Sequence, residues 1–211
     1  MTDTDHRQCL RIGDLAPDFT ARSTAGQVSL STYRGKWVLL FSHPADFTPV
    51  CTSEFVALAN ASNRFAQMDC ALLALSVDSL YSHFAWVRAI YDRFGVEVRF
   101  PIIEDPTLVV GKAYGMVAPE AHDSSTVRTN FIIDPHGVIR AISCYPLNVG
   151  RSVEELLRTL SALKAADETG NLAPEGWVVG APMLPQPEPD LGTIFTNENA
   201  TDWFLSKKEP S

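Results

Sequence analysis

"WVLLFSHPADFTPVCTSEF", residues 37–55, decides how the chain is read. The apolar run Trp37-Val38-Leu39-Leu40-Phe41 reads as a strand, and it ends at His43-Pro44, where proline cannot continue a ladder. Thr48 then suits a helix N-cap and Pro49 the first helical position, so Cys51 is third in the helix. Phe55, Leu58, Ala59, Ser62 and Phe65 follow at the spacing of one helix face. Strand, short loop, helix is the building unit of α/β architecture.

In a capping box the third helical position holds a carboxylate, because free amide hydrogens and the helix dipole make that end positive. Here it holds a cysteine. The same field favours a thiolate, the reactive form of the side chain. The strand before it ends beside the helix start, which puts the thiol in the crevice where α/β sheets bind ligands. Taken alone, the spacing fits equally well a cysteine that only fills space.

Elsewhere, strands are expected near 28–30, 71–77, 127–133 and 138–143. "IDPHGVI" carries turn residues between the last two and predicts an antiparallel hairpin. In 79–94, Leu80, Phe84, Val87, Ile90, Tyr91 and Phe94 recur at helical spacing. Ser152 and Glu155 form a capping box ahead of Val153, Leu156, Leu157, Leu160 and Leu163 on one face. Together these predict a three-layer α/β domain with a mixed sheet over 1–167. The character then changes: six of the 14 prolines lie between 171 and 211. Yet Trp177, Val178, Val179, Met183, Leu184, Phe195, Trp203 and Phe204 make this stretch too apolar for a solvated tail. Residues 168–211 are therefore expected to form an extended arm packed on another surface, such as a second subunit.

A length of 211 residues with 45% hydrophobic content describes one globular core plus an appendage. The net charge of −8 excludes nucleic-acid binding, since no basic cluster can displace counterions. No apolar run is long enough to span a membrane, and the polar N-terminus has no signal-like stretch, so a cytoplasmic protein is expected. The four cysteines show no C-x-x-C. Cys70 and Cys144 sit in apolar strand-like contexts and read as buried inert thiols, and Cys9 as exposed without a role. The five histidines (6, 43, 83, 122, 136) have no ligand spacing, so no metal site is expected.

"FSHPADFTPVCTSEF" resembles the active-site segment of the peroxiredoxins, in particular their one-cysteine class, represented by the sixth mammalian member and related archaeal and bacterial thiol peroxidases. The resemblance extends through "GDLAPDFTA", "DSLYSHFAWVRAI", "FPIIEDPTLVVGKAYGM", "VRTNFIIDPHGVIRAI" and "APEGWVVGAPMLPQP". It implies a thioredoxin-like fold with a C-terminal arm, no cofactor, and a thiol peroxidase whose cysteine becomes a sulfenic acid. Cys51 matches the peroxide-reactive thiol, Thr48 the hydroxyl that bonds thiolate and peroxide, and Pro44 the residue shielding the thiol from water. Arg128 matches the guanidinium that activates the peroxide, and Arg151 an outer arginine. Glu54 is placed to orient Arg128 through both carboxylate oxygens. His43 could bond near the sulfur or be a satisfied structural histidine.

Where two-cysteine members carry a resolving cysteine, this chain reads "LAPEGW", and no cysteine follows Cys144. The resemblance thus implies reduction by an external thiol, in a homodimer that allows a ring such as a decamer. A lipase-type G-x-S-x-G is absent, Lys36 standing in "YRGKWVLL" where the serine would fall. Two rival readings are a Cys51–His43 hydrolase, which needs His43 oriented by an Asp or Asn, and a thioredoxin-like holdase in which Cys51 is incidental.

Overall fold

The computed structural model describes residues 9–117 and 126–187. The chain divides into two compact units, Met1–Val153 and Glu154–Ser211, so the last helix groups with the C-terminal segment.

The first unit runs β1 (Thr20–Ser23), β2 (Gly26–Ser29), a 3-10 turn (Leu30–Tyr33), β3 (Trp37–Ser42), α1 (Pro49–Gln67), β4 (Cys70–Ser76), α2 (Leu80–Phe94), β5 (Ile102–Glu104), α3 (Val109–Ala113), β6 (Arg128–Ile133) and β7 (Ile139–Tyr145). The seven strands form one sheet in the order β2-β1-β5-β4-β3-β6-β7. β3 pairs parallel with β4 and antiparallel with β6, so the sheet is mixed. Every residue of β3 is buried, as a continuous apolar run requires when both faces are covered. The β6–β7 hairpin forms as the turn residues predict. Asp134 Oδ1 accepts the amides of His136 and Val138, both at 2.9 Å, and Gly137 takes the left-handed φ of 83° between them.

Two strands lie outside the sequence expectations. β1 (TARS) is too polar to read as a strand, and β5, which lies between β1 and β4, is only three residues long. The strand expected at 28–30 is instead Gly26–Ser29, with Leu30 opening the 3-10 turn. Cys144, expected inside, is exposed, because β7 is the outer strand of the sheet and covers less.

One face of the sheet packs Val38, Leu40, Leu73, Leu75, Phe131 and Ile133 into a single cluster. Residues of the opposite parity meet aromatics from the helices. Phe41 contacts Phe55 of α1 edge to face, with ring centroids 5.8 Å apart, and Phe55 contacts Trp86 of α2 at 4.5 Å. Burying one such ring contributes about 2 kcal/mol. α2 turns the stripe His83, Trp86, Ile90 inward and leaves Phe84, Tyr91 and Phe94 exposed. The inward stripe accepts a histidine because a carboxylate waits for it, as described below.

The second unit holds α4 (Val153–Thr169), which starts directly after Ser152. Beyond it Leu172 and Leu184 bond each other's backbone, and the buried Trp177 donates its indole N–H to the Ala181 carbonyl at 2.9 Å. Val178 and Val179 are exposed. Phe195, Trp203 and Phe204 lie outside the described residues. Among the described residues no helix is long and apolar enough to cross a membrane.

Candidate active site

The site forms where β3 hands over to α1. The strand is carried one residue further, the His43 amide bonding the Leu75 carbonyl at 3.0 Å and the Thr126 hydroxyl the His43 carbonyl at 2.8 Å. Pro44 is buried. Phe47 takes a left-handed φ of 58°, a strained choice for a large side chain, so the loop that carries it is held by its surroundings. Thr48 is the N-cap, with φ −90° and ψ 149°, and Pro49 opens the helix, placing Cys51 third as the spacing predicts. The Thr48 hydroxyl, however, donates to the Ala45 carbonyl at 2.9 Å and makes no cap bond or bond to the sulfur. It closes the loop on itself. The first turn also carries no acidic residue, so its positive end is not satisfied by a neighbouring carboxylate.

Cys51 is fully buried, and Arg128 Nη1 donates to its Sγ at 3.2 Å. Arg128 opens β6 and is itself buried. Its Nε and Nη2 both donate to the Leu147 carbonyl, at 3.2 and 3.0 Å, and this fixes the guanidinium plane. Nη1 also reaches Glu54 Oε2 at 2.8 Å. Glu54 lies one turn beyond Cys51 on α1, so helix and strand present carboxylate, sulfur and guanidinium together.

The fork expected between Glu54 and Arg128 belongs instead to Arg151. Arg151 donates Nε to Oε1 at 2.9 Å, Nη2 to Oε2 at 2.7 Å and its own amide to Oε1 at 2.8 Å. Its Nη1 bonds the Ser42 carbonyl at 2.9 Å and Asn130 Oδ1 at 3.1 Å, and the group lies 5.0 Å over the Phe41 ring. Burial pushes the Glu54 carboxyl up, but the hydrogen bonds and charge of Arg151, with Arg128 beyond, outweigh it and hold it below the usual range. Two buried cations thus share one carboxylate. One positive charge is left over, and Arg128 turns it toward the Cys51 sulfur.

His43 makes no bond to the sulfur. Its Nε2 bonds Asp46 Oδ1 at 2.9 Å, while His83 Nδ1 from α2 bonds Asp46 Oδ2 at 2.8 Å. Asp46 and His83 are absent from the sequence-derived site. Spacing along the chain could not group them, because one arrives on a different helix. The available signal was His83 on the same stripe as Trp86 and Ile90. Donor atoms of the three residues lie within 4.8 Å of one another, and their facing atoms are engaged in hydrogen bonds.

The AhpC/TSA family matches residues 12–142 of the chain. "Peroxiredoxin 2" of Caldanaerobacter subterraneus subsp. tengcongensis is 47% identical over 210 residues, covering 96% of this chain and 95% of the relative. Among solved structures, a yeast mitochondrial 1-Cys peroxiredoxin, studied for thiol resolution via glutathione/thioredoxin systems, aligns with TM-score 0.79 and 38% identity, covering 84% of this chain and 87% of that one. A reduced 2-Cys peroxiredoxin of Plasmodium vivax aligns with TM-score 0.76 and 32% identity, over 82% and 92%. The mixed sheet with its helices is therefore the thioredoxin-like fold that the resemblance implied. With a buried cysteine at a helix start against a clamped arginine, the chain belongs to the AhpC/TSA family of peroxiredoxins and is a thiol-dependent peroxidase.

Proposed function

We propose that the chain reduces hydrogen peroxide and organic hydroperoxides by a one-cysteine mechanism centred on Cys51. The observation that carries this is the Arg128 Nη1 bond to Cys51 Sγ at 3.2 Å. The thiolate attacks one peroxide oxygen, the O–O bond breaks, and the departing oxygen takes a proton to leave as water or alcohol. Sulfur, oxidised by two electrons, becomes a sulfenic acid. Arg128 stabilises the charge that moves from sulfur to the departing oxygen. An external thiol then displaces water from the sulfenic acid to give a mixed disulfide, and a second thiol releases Cys51. The lack of any cysteine after Cys144 supports an external reductant, as does similarity to a yeast protein resolved via glutathione/thioredoxin systems.

The hydrolase reading gains one point, since Asp46 does orient His43. It lacks the thiol–imidazole bond that activates a cysteine nucleophile, the Cys51 sulfur being bonded to Arg128. Exposed Val178 and Val179 favour a homodimer in which the arm covers its partner, with a ring of dimers as further assembly; the proposed place of action is the cytoplasm.

The test is a variant with Cys9, Cys70 and Cys144 all changed to Ser. Supplied with excess small thiol, it should turn over peroxide at the wild-type rate, whereas Cys51→Ser should not. Loss of turnover in the triple variant would show that another cysteine resolves the sulfenic acid.

A further inference from the structure

The peroxidase chemistry leaves one buried cluster without a task. His43 closes β3, Asp46 lies in the loop leading to Cys51, and His83 stands on α2, all three buried. Each imidazole gives one ring nitrogen to Asp46, at 2.9 and 2.8 Å. The other nitrogens, His43 Nδ1 and His83 Nε2, are buried without a hydrogen-bond partner. A buried N–H with no acceptor is costly, whereas a nitrogen facing a carboxylate must donate, so these two nitrogens are the ones without hydrogens. Each ring therefore presents an N–H to the Asp46 carboxylate, and that bond sets its tautomer. Burial pushes the His43 pKa below its ordinary value against the pull of Asp46. Burial also raises the Asp46 carboxyl, but the bonds from His43 and His83 outweigh it and hold it at about 2.

The cluster touches the peroxidatic segment at two points. The His43 ring packs on Phe55, four residues along α1 from Cys51, with centroids 4.8 Å apart. Asp46 precedes the left-handed Phe47 and the N-cap Thr48. The other charged groups that face the cluster are Asp78, whose Oδ2 accepts the Asp46 amide at 2.9 Å, and Arg151, whose charge acts on His43. Among the described residues, only His83 gives the Asp46 carboxylate a donor from outside its own loop.

We propose that His83 is a positioning residue for the peroxidase reaction: by donating to Asp46 from α2 it fixes the loop 43–48 and the His43 tautomer, and so holds the first turn of α1 with Cys51 against Arg128. This rests on Cys51 being the peroxide-reactive thiol. Asp46 acts in the same chain, binding one imidazole on each carboxylate oxygen. An amide in its place can accept one of these bonds but must donate toward the other ring and reverse its tautomer.

The experiment measures the rate of Cys51 oxidation by hydrogen peroxide in the full chain, from pH 4.5 to 8, for wild type, His83→Leu, His83→Asn and Asp46→Asn. His83→Leu removes the donor, and the rate should fall roughly 100-fold, the scale of a small misplacement of reacting groups. Its pH profile should gain an acid limb, because Asp46 with one donor fewer takes up a proton at higher pH. His83→Asn puts an amide N–H where Nδ1–H stood and should restore most of the rate and the wild-type profile. Asp46→Asn, nearly isosteric, should lose rate like His83→Leu and decides the matter if the leucine variant fails to fold. A His83→Leu protein with wild-type rate and profile would overturn the proposal. So would a His83→Asn protein as slow as the leucine variant, which would mean that ring packing is what matters. If wild type itself does not oxidise Cys51, the peroxidase reading fails first, and that outcome is distinct from either of these.

Discussion

Glu54 grips Arg151 through both carboxylate oxygens, Nε to Oε1 at 2.9 Å and Nη2 to Oε2 at 2.7 Å. Arg128 takes only a share of Oε2, through the same Nη1 that faces the sulfur. The two arginines therefore do different work. Arg151 neutralises and orients the carboxylate, and Arg128 is held by the Leu147 carbonyl with charge to spare for Cys51.

Arg128→Met should accordingly keep the fold, since Glu54 retains its fork to Arg151. Peroxide reduction should slow by about 100-fold or more, equivalent to ~2.7 kcal/mol in the barrier. Stopped-flow kinetics with a parallel melting curve separates the two effects. Full activity, or an unfolded variant, would make Arg128 a structural ion.

Glu54→Gln should do the opposite and weaken the fold. Both guanidinium groups are almost wholly buried, and an amide leaves two neighbouring cations without a counter-charge. Removing one partner from such a group costs about 3–5 kcal/mol. Urea unfolding should show the loss, and a variant as stable as wild type would mean the cluster is open to solvent.

Stability should fall with acid in two stages. His43 has its folded pKa below the ordinary 6.5, Glu54 below 4.5, and Asp46 at about 2 against 3.8. In each case the unfolded chain binds protons first, so the contribution is complete above the unfolded pKa and is lost as pH falls toward the folded one. The histidine stage starts near pH 6.5 and the carboxylate stage near pH 4.5. Asp46 alone accounts for something on the order of 2 kcal/mol. Unfolding free energies measured at pH 8, 5.5 and 4 should decline in that order. A flat profile would contradict the assigned charge states.

The centre of this arrangement was legible in residues 37–55, because strand, proline, N-cap and helix face follow one another with local rules. Thr48, Pro49 and Cys51 occupy the helix positions that those rules assign. What escaped depends on contacts between distant segments. The fork on Glu54 goes to Arg151 rather than Arg128, and α2 buries His83 while Phe84 faces outward, because Asp46 compensates the imidazole. The Thr48 hydroxyl turns back to Ala45, a choice of rotamer that spacing does not encode. β5 was invisible at three residues, and Cys144 lies outside because its strand is at the sheet edge.

The most direct test of the account compares the four cysteines after one equivalent of hydrogen peroxide, by trapping sulfenic acid and mapping the peptides by mass. Cys9 and Cys144 are exposed, whereas Cys51 and Cys70 are buried, so simple access would favour the first two. The account predicts that the added oxygen appears on Cys51 first, because Arg128 and the helix start activate it, and that excess peroxide carries it on to sulfinic and sulfonic acids. Oxidation of Cys9 or Cys144 ahead of Cys51 would contradict it.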